Sequence, residues 1–215
     1  MMIITRLIGI FAVAAGLMLG AVQAELASSA NLARPLSKGA SVPDATVQTP
    51  DGKAVSLKAA LGGKPTVLIF FRGGWCPFCT RHLSELNEAR AELATLGYQM
   101  VAVTADPPEA LPGVADKNNL GYTLLSDARM QAAEAFGLAF KVDDATLKKY
   151  REYNIKLTAK KGDDYWLPVP AVFLVGVDGK IQFAHANPDY KARLSKDDLL
   201  KAARAVVAAK APANP

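Results

Sequence analysis

Residues 66–79 constrain this chain most: Thr-Val-Leu-Ile-Phe-Phe, then Arg-Gly-Gly-Trp, then Cys-Pro-Phe-Cys. An unbroken apolar, β-rich run of this length is a strand buried on both faces of a sheet. Gly73 and Gly74 turn the chain, and Pro77 suits the first position of a helix, where its missing N–H costs nothing. Cys76 then stands at the helix N-terminus, where free amides and the helix dipole favour a thiolate. Cys79 follows one turn deeper on the same face, placed to attack a mixed disulfide formed on Cys76. Cys76 is thus the expected attacking thiol and Cys79 the resolver, cycling between dithiol and a Cys76–Cys79 disulfide.

Other uses of such a pair fit less well. A disulfide closing so small a loop removes little unfolded-state entropy, so a purely structural role is disfavoured. A closed zinc site needs four ligands. His82 lies three residues after Cys79, but the only further histidine is His185. Haem attachment requires histidine directly after the second cysteine, and Thr80 is there. No metal is expected.

The 215 residues are 51% hydrophobic and 21% charged, which supports a sizeable core and rules out a disordered or collagen-like chain. Net charge is +5, but the 25 basic residues are dispersed among 20 acidic ones. With no basic run or aromatic-interleaved patch, nucleic acid is not an expected partner. Residues 1–24 read as a cleavable signal peptide: Arg6, an apolar core over 7–19, then small residues at Val22 and Ala24. That core is shorter than the ~20 apolar residues of a membrane span, so no stable membrane insertion is expected after its removal. Losing Arg6 takes the charge from +5 to +4. Export to the periplasm or the medium would put the thiols where disulfides persist, an anchored form being the lesser alternative.

After cleavage, residues 25–41 read as a surface arm, 42–211 as one domain and 212–215 as a tail. Strands are expected at 45–48 and 54–57 around Pro50-Asp51-Gly52, and at 66–71, 100–104 and 122–125. Strands at 172–177 and 181–184 flank an Asp-Gly hairpin turn. Leu83, Leu86, Ala89, Leu93 and Leu96 recur at helical spacing up to Gly97, and further helical patterns lie before 122 and around 130–136. Ser195 caps a last helix, whose stripe is Leu199, Leu200, Ala203, Val206 and Val207. Residues 143–166 interrupt this order as a charged insertion with a helical middle, and Asp163, Asp164, Tyr165 and Trp166 read as a solvated loop at its end. Alternating strands and helices imply an α/β fold with a central mixed sheet flanked by helices.

Trp75-Cys76-Pro77-Phe78-Cys79 after a buried strand resembles the thioredoxin superfamily. Together with Leu167-Pro168-Val169-Pro170-Ala171-Val172-Phe173, it resembles the alkyl hydroperoxide reductase/thiol-specific antioxidant (peroxiredoxin-like) family, over roughly residues 42–210. The resemblance implies a thioredoxin fold in which Pro170 matches a cis proline facing the cysteine pair, and Trp75 packs beside it. A typical peroxiredoxin has proline seven residues before its peroxidatic cysteine, threonine or serine three before it, and arginine at a later strand. With Cys79 in the cysteine position, these places hold Arg72, Cys76 and Pro170. That substitution pattern favours an exported thiol–disulfide oxidoreductase acting on a protein thiol or disulfide partner. The alternative is a thiol-dependent peroxidase reducing hydrogen or alkyl peroxides, with a sulfenic acid resolved by the second thiol. A non-catalytic copper-binding or chaperone-like module, with His185 as a third ligand, is the last reading. No organic cofactor is implied, because the electrons travel on sulfur. Arg72, Arg81 and His82 are the candidates for positive charge near Cys76.

Overall fold

The computed structural model describes residues 26–209. The expected signal peptide over 1–24 and the tail at 212–215 lie outside the described residues. The chain first forms the expected hairpin, β1 (Thr46–Gln48) and β2 (Ala54–Ser56), closed by a Thr49 N–H to Lys53 carbonyl bond of 3.0 Å. The second strand ends a residue earlier than expected, because Ser56 caps a short helix, α1 (Leu57–Leu61), by accepting from the Ala59 N–H. Gly62 ends that helix in the left-handed region.

The apolar run becomes β3 (Thr66–Phe71), with all six residues buried. Val67, Ile69 and Phe71 point into one apolar layer, and Leu68 and Phe70 into the other. A strand packed on both faces is what its continuous hydrophobicity anticipates. The following helical stretch is not continuous: α2 (Pro77–Glu88) stops at Ala89, and α3 (Arg90–Thr95) resumes. The break coincides with Asn87, whose amide bonds the Asn119 carbonyl and the Gly121 N–H and ties the junction to the loop around residues 119–121.

The chain continues through β4 (Gln99–Thr104), α4 (Leu111–Lys117), β5 (Thr123–Ser126), α5 (Gln131–Ala135) and β6 (Ala139–Lys141). The insertion follows, with α6 (Asp144–Glu152), β7 (Lys160–Lys161) and β8 (Asp164–Pro168). The fold closes with β9 (Ala171–Val175), β10 (Ile181–Ala186) and α7 (Lys196–Ala208), the last capped by Ser195 as its sequence anticipates. Among the described residues the strands form a main sheet ordered β10-β9-β3-β4-β5-β1-β2 and a small one ordered β6-β8-β7. Parallel β3, β4 and β5 with antiparallel β9 and β10 make the main sheet mixed. The α/β expectation holds.

Asp163 is an exposed turn residue as expected, but residues 164–166 are not a solvated loop: they belong to β8. Trp166 is buried and pairs with Lys141 across β8 and β6, because its indole fills the apolar layer between the insertion and the main sheet. The segment expected as a surface arm is likewise bonded down: the Arg34 and Leu36 N–H groups donate to the Gly137 and Phe136 carbonyls, each at 3.0 Å. Gly137 is required there. Its φ is 68°, and an added Cβ would lie 2.0 Å from the Arg34 carbonyl oxygen. Gly137→Ala should therefore cost about 2–4 kcal/mol, measured by denaturant unfolding.

Candidate active site

At the end of β3, residues 72–75 turn the chain into α2. The turn is anchored by the Asp106 carboxylate, which accepts from the Gly74 N–H at 2.7 Å and from the Thr104 hydroxyl at 3.0 Å. Gly73 has no room for a side chain: a Cβ would come within 2.2 Å of the Trp75 indole nitrogen. Cys76 is the N-cap of α2 and Pro77 opens the helix. Both cysteines are free thiols and each is only 1% exposed.

The two thiols are held in opposite states. Cys76 is lowered from the 9.0 of an ordinary thiol to about 6, first by the Cys79 thiol donating to its sulfur, then by the charge of Arg72, the Cys79 backbone N–H and, more weakly, the charge of Arg193. Burial opposes this shift and is overcome. Cys79 is pushed well up, first by burial and then by serving as the donor to Cys76. The neighbour's S–H is the largest stabilising contribution, and the helix terminus adds a smaller one through the Cys79 backbone N–H in its first turn. A thiolate attacker beside a protonated thiol is the arrangement for forming a disulfide in two steps.

Arg72 is buried, and its guanidinium lies 4.1 Å from the ring centre of Tyr190, 5.2 Å from Trp75 and 5.7 Å from Tyr150. It also donates to the Tyr150 hydroxyl. Trp75 packs edge-on to Tyr150 at 5.3 Å, and Phe78 edge-on to Tyr190 at 5.6 Å. Such a cage fixes a cation by its ring quadrupoles without a carboxylate that would neutralise its field. The insertion therefore belongs to the site, because Tyr150 projects from α6.

The structure brings Arg72, Trp75 and Pro77 to the cysteine pair as the sequence suggested, but not the other two proposed cations. Arg81 is exposed with its guanidinium 5.4 Å from the Phe78 ring centre. His82 is buried, which pushes its pKa down to about 4 and leaves it neutral, and its Nε2 bonds the Leu194 carbonyl at 2.9 Å. Pro170 sits at the same end of the sheet, since its neighbour Ala171 pairs with Phe70. Its peptide bond is trans, not the cis bond that the resemblance implied. Asn187 in the loop after β10 donates to the Pro170 carbonyl at 3.3 Å, and its neighbours fit an ordinary strand entry. Among the described residues, no group of three or more His, Cys, Asp or Glu side chains could hold a metal, so His185 does not complete a ligand set with the thiols.

Tyr150, Tyr190 and Arg193 were not marked by the sequence. Arg193 Nη2 lies 3.4 Å from Cys79 Sγ across 114 residues of chain, and Tyr150 meets Arg72 across 78. Contacts of that separation leave no local pattern, and an aromatic or arginine in a polar segment reads as solvated surface.

Comparison with known proteins places this geometry in a family. Residues 39–184 match the AhpC/TSA family. Peroxiredoxin Bcp of Escherichia coli is 32% identical over 104 residues, 48% of this chain and 66% of that protein. A chloroplastic peroxiredoxin Q of Gentiana triflora is 31% identical over 103 residues, 48% of this chain and 47% of that protein. The chain thus spans about half to two thirds of the length of the curated relatives it matches. The crystal structure of peroxidoxin BcpB from Mycobacterium tuberculosis superposes with a TM-score of 0.60 at 23% identity, covering 81% of this chain and 98% of that one. That likeness shows the thioredoxin fold. With a family match running from the arm through the cysteine turn to β10, the chain belongs to the AhpC/TSA family.

Proposed function

We propose that this protein is a thiol-dependent peroxidase in which Cys76 attacks the peroxide and Cys79 resolves it. The observation that carries this reading is the pair of free, buried thiols at the head of α2 in an AhpC/TSA-family chain, Cys76 as N-cap and Cys79 one turn on, with Cys76 lowered to about 6 while burial holds Cys79 protonated. The Cys76 thiolate attacks one peroxide oxygen and the O–O bond breaks. Water or an alcohol leaves after taking up a proton, and Cys76 becomes a sulfenic acid. The Cys79 thiolate then attacks the Cys76 sulfur, the S–O bond breaks, and hydroxide leaves as water with the proton from Cys79. An external dithiol reduces the resulting disulfide and is itself oxidised. The peroxiredoxin relatives support this reading over pure disulfide exchange, which the sequence alone favoured.

Disulfide exchange stays as the second reading because Arg72, Cys76 and Pro170 replace the typical peroxiredoxin residues. One experiment separates the two. Reduced protein lacking residues 1–24 is mixed with hydrogen peroxide and followed by tryptophan fluorescence, with Trp75 as reporter. The expected rate is far above that of an ordinary thiol compared at equal thiolate concentration, so that ionisation alone does not account for it. A rate no greater than that of an ordinary thiolate leaves exchange with a protein partner as the function. Export rests on the leader pattern, and an N-terminus at Glu25 in periplasmic protein or culture medium is the expected result.

A further inference from the structure

We propose that Arg193 is a further catalytic residue, whose guanidinium stabilises the Cys79 sulfur while it ionises to attack Cys76. The proposal rests on the reading that Cys79 resolves, and it holds whether Cys76 carries a sulfenic acid or a mixed disulfide. The two cations act unequally on the two sulfurs: Arg193 reaches both, and Arg72 acts on Cys76. Arg72 faces Cys76 from its aromatic cage, whereas Arg193 Nη2 is 3.4 Å from Cys79 Sγ. Cys79 needs such help because burial resists its ionisation, and it sits 1% exposed with no bulk water to solvate the charge. A guanidinium at this distance is a weak partner for a neutral thiol and a strong one for a thiolate. Its contact therefore strengthens as the proton leaves.

Arg193 is held for this task. Its Nε donates to the Tyr190 carbonyl at 2.7 Å, and the Tyr190 ring stacks on Arg72. The next residues are tied to α2, the helix that carries Cys79. His82 bonds the Leu194 carbonyl at 2.9 Å, and Glu85 accepts from the Lys196 N–H at 2.9 Å. Those bonds give the buried, neutral His82 a purpose: it fixes the Arg193 segment against the helix.

The test uses Ellman's disulfide with reduced protein lacking residues 1–24. The first thionitrobenzoate released reports attack by Cys76. The second is released when Cys79, its proton given to solvent, attacks the Cys76 sulfur and breaks the mixed disulfide. Arg193→Met should slow the second phase by about tenfold or more at neutral pH. The first phase should change by no more than about threefold, since Arg193 acts only weakly on Cys76, and it reports that the site is still folded. Arg193→Lys should recover part of the second phase. An unchanged second phase, or equal slowing of both, overturns the proposal. Peroxide reactivity of the wild type is measured separately, so a failed peroxidase reading leaves this result interpretable.

Discussion

Cys76→Ser should abolish peroxide turnover in the presence of excess dithiothreitol, by at least about 10³-fold, the scale of removing a nucleophile. A serine hydroxyl stays protonated at neutral pH, so neither the Cys79 thiol nor the Arg72 cation has an anion to stabilise. Cys79→Ser should behave differently. It keeps an O–H that can donate to the Cys76 sulfur, so the first oxidation proceeds, and once dithiothreitol is removed the protein stalls as a sulfenic acid that dimedone traps. If Cys76→Ser consumed peroxide and Cys79→Ser did not, the roles would be exchanged. That outcome is a real alternative, because Cys79 occupies the place of a typical peroxidatic cysteine. The electrostatics oppose it: burial holds the Cys79 thiol protonated, while Cys76 ionises at about 6.

Local pattern made the frame of this protein readable. The six-residue β3, the Ser195 cap and the two hairpins all depend on residues close in sequence, and each falls where its periodicity or turn chemistry puts it. The cysteine pair was readable for the same reason, since strand, turn, cap and Pro77 are contiguous. Helix α1 carried a weak signal in the Ser56 cap and Gly62 stop, masked by the strand ahead of it. What surrounds the thiols was not readable. Trp166 looked like part of a polar loop because its burial depends on an insertion folding back over the sheet. His82 looked cationic because only the fold places it under Leu194. Arg72 was found by its neighbourhood, but its cage draws Tyr150 from α6 and Tyr190 from the loop after β10.

The second large effect concerns the pH at which Cys76 becomes reactive. Alkylation by iodoacetamide should rise with pH around a midpoint near 6 in the wild type. At pH 7 that midpoint leaves about nine tenths of Cys76 ionised, against about one part in a hundred for an ordinary thiol at 9.0. Removing either stabilising group should move the midpoint up. Cys79→Ala deletes the largest contribution, the thiol hydrogen bond, and should shift it furthest. Arg72→Ala deletes the neighbouring cation and should shift it less, while Arg81→Ala, whose guanidinium lies over Phe78, should leave it in place. A wild-type midpoint after Arg72→Ala would remove Arg72 from the activation scheme. The same groups set a pH dependence of stability. Between about 6 and 9 the unfolded Cys76 binds a proton that the folded one has lost, so the reduced protein gains stability as pH rises through that window. Arg72→Ala should flatten the rise in denaturant midpoint across it, because the cage then holds no charge to reward the thiolate.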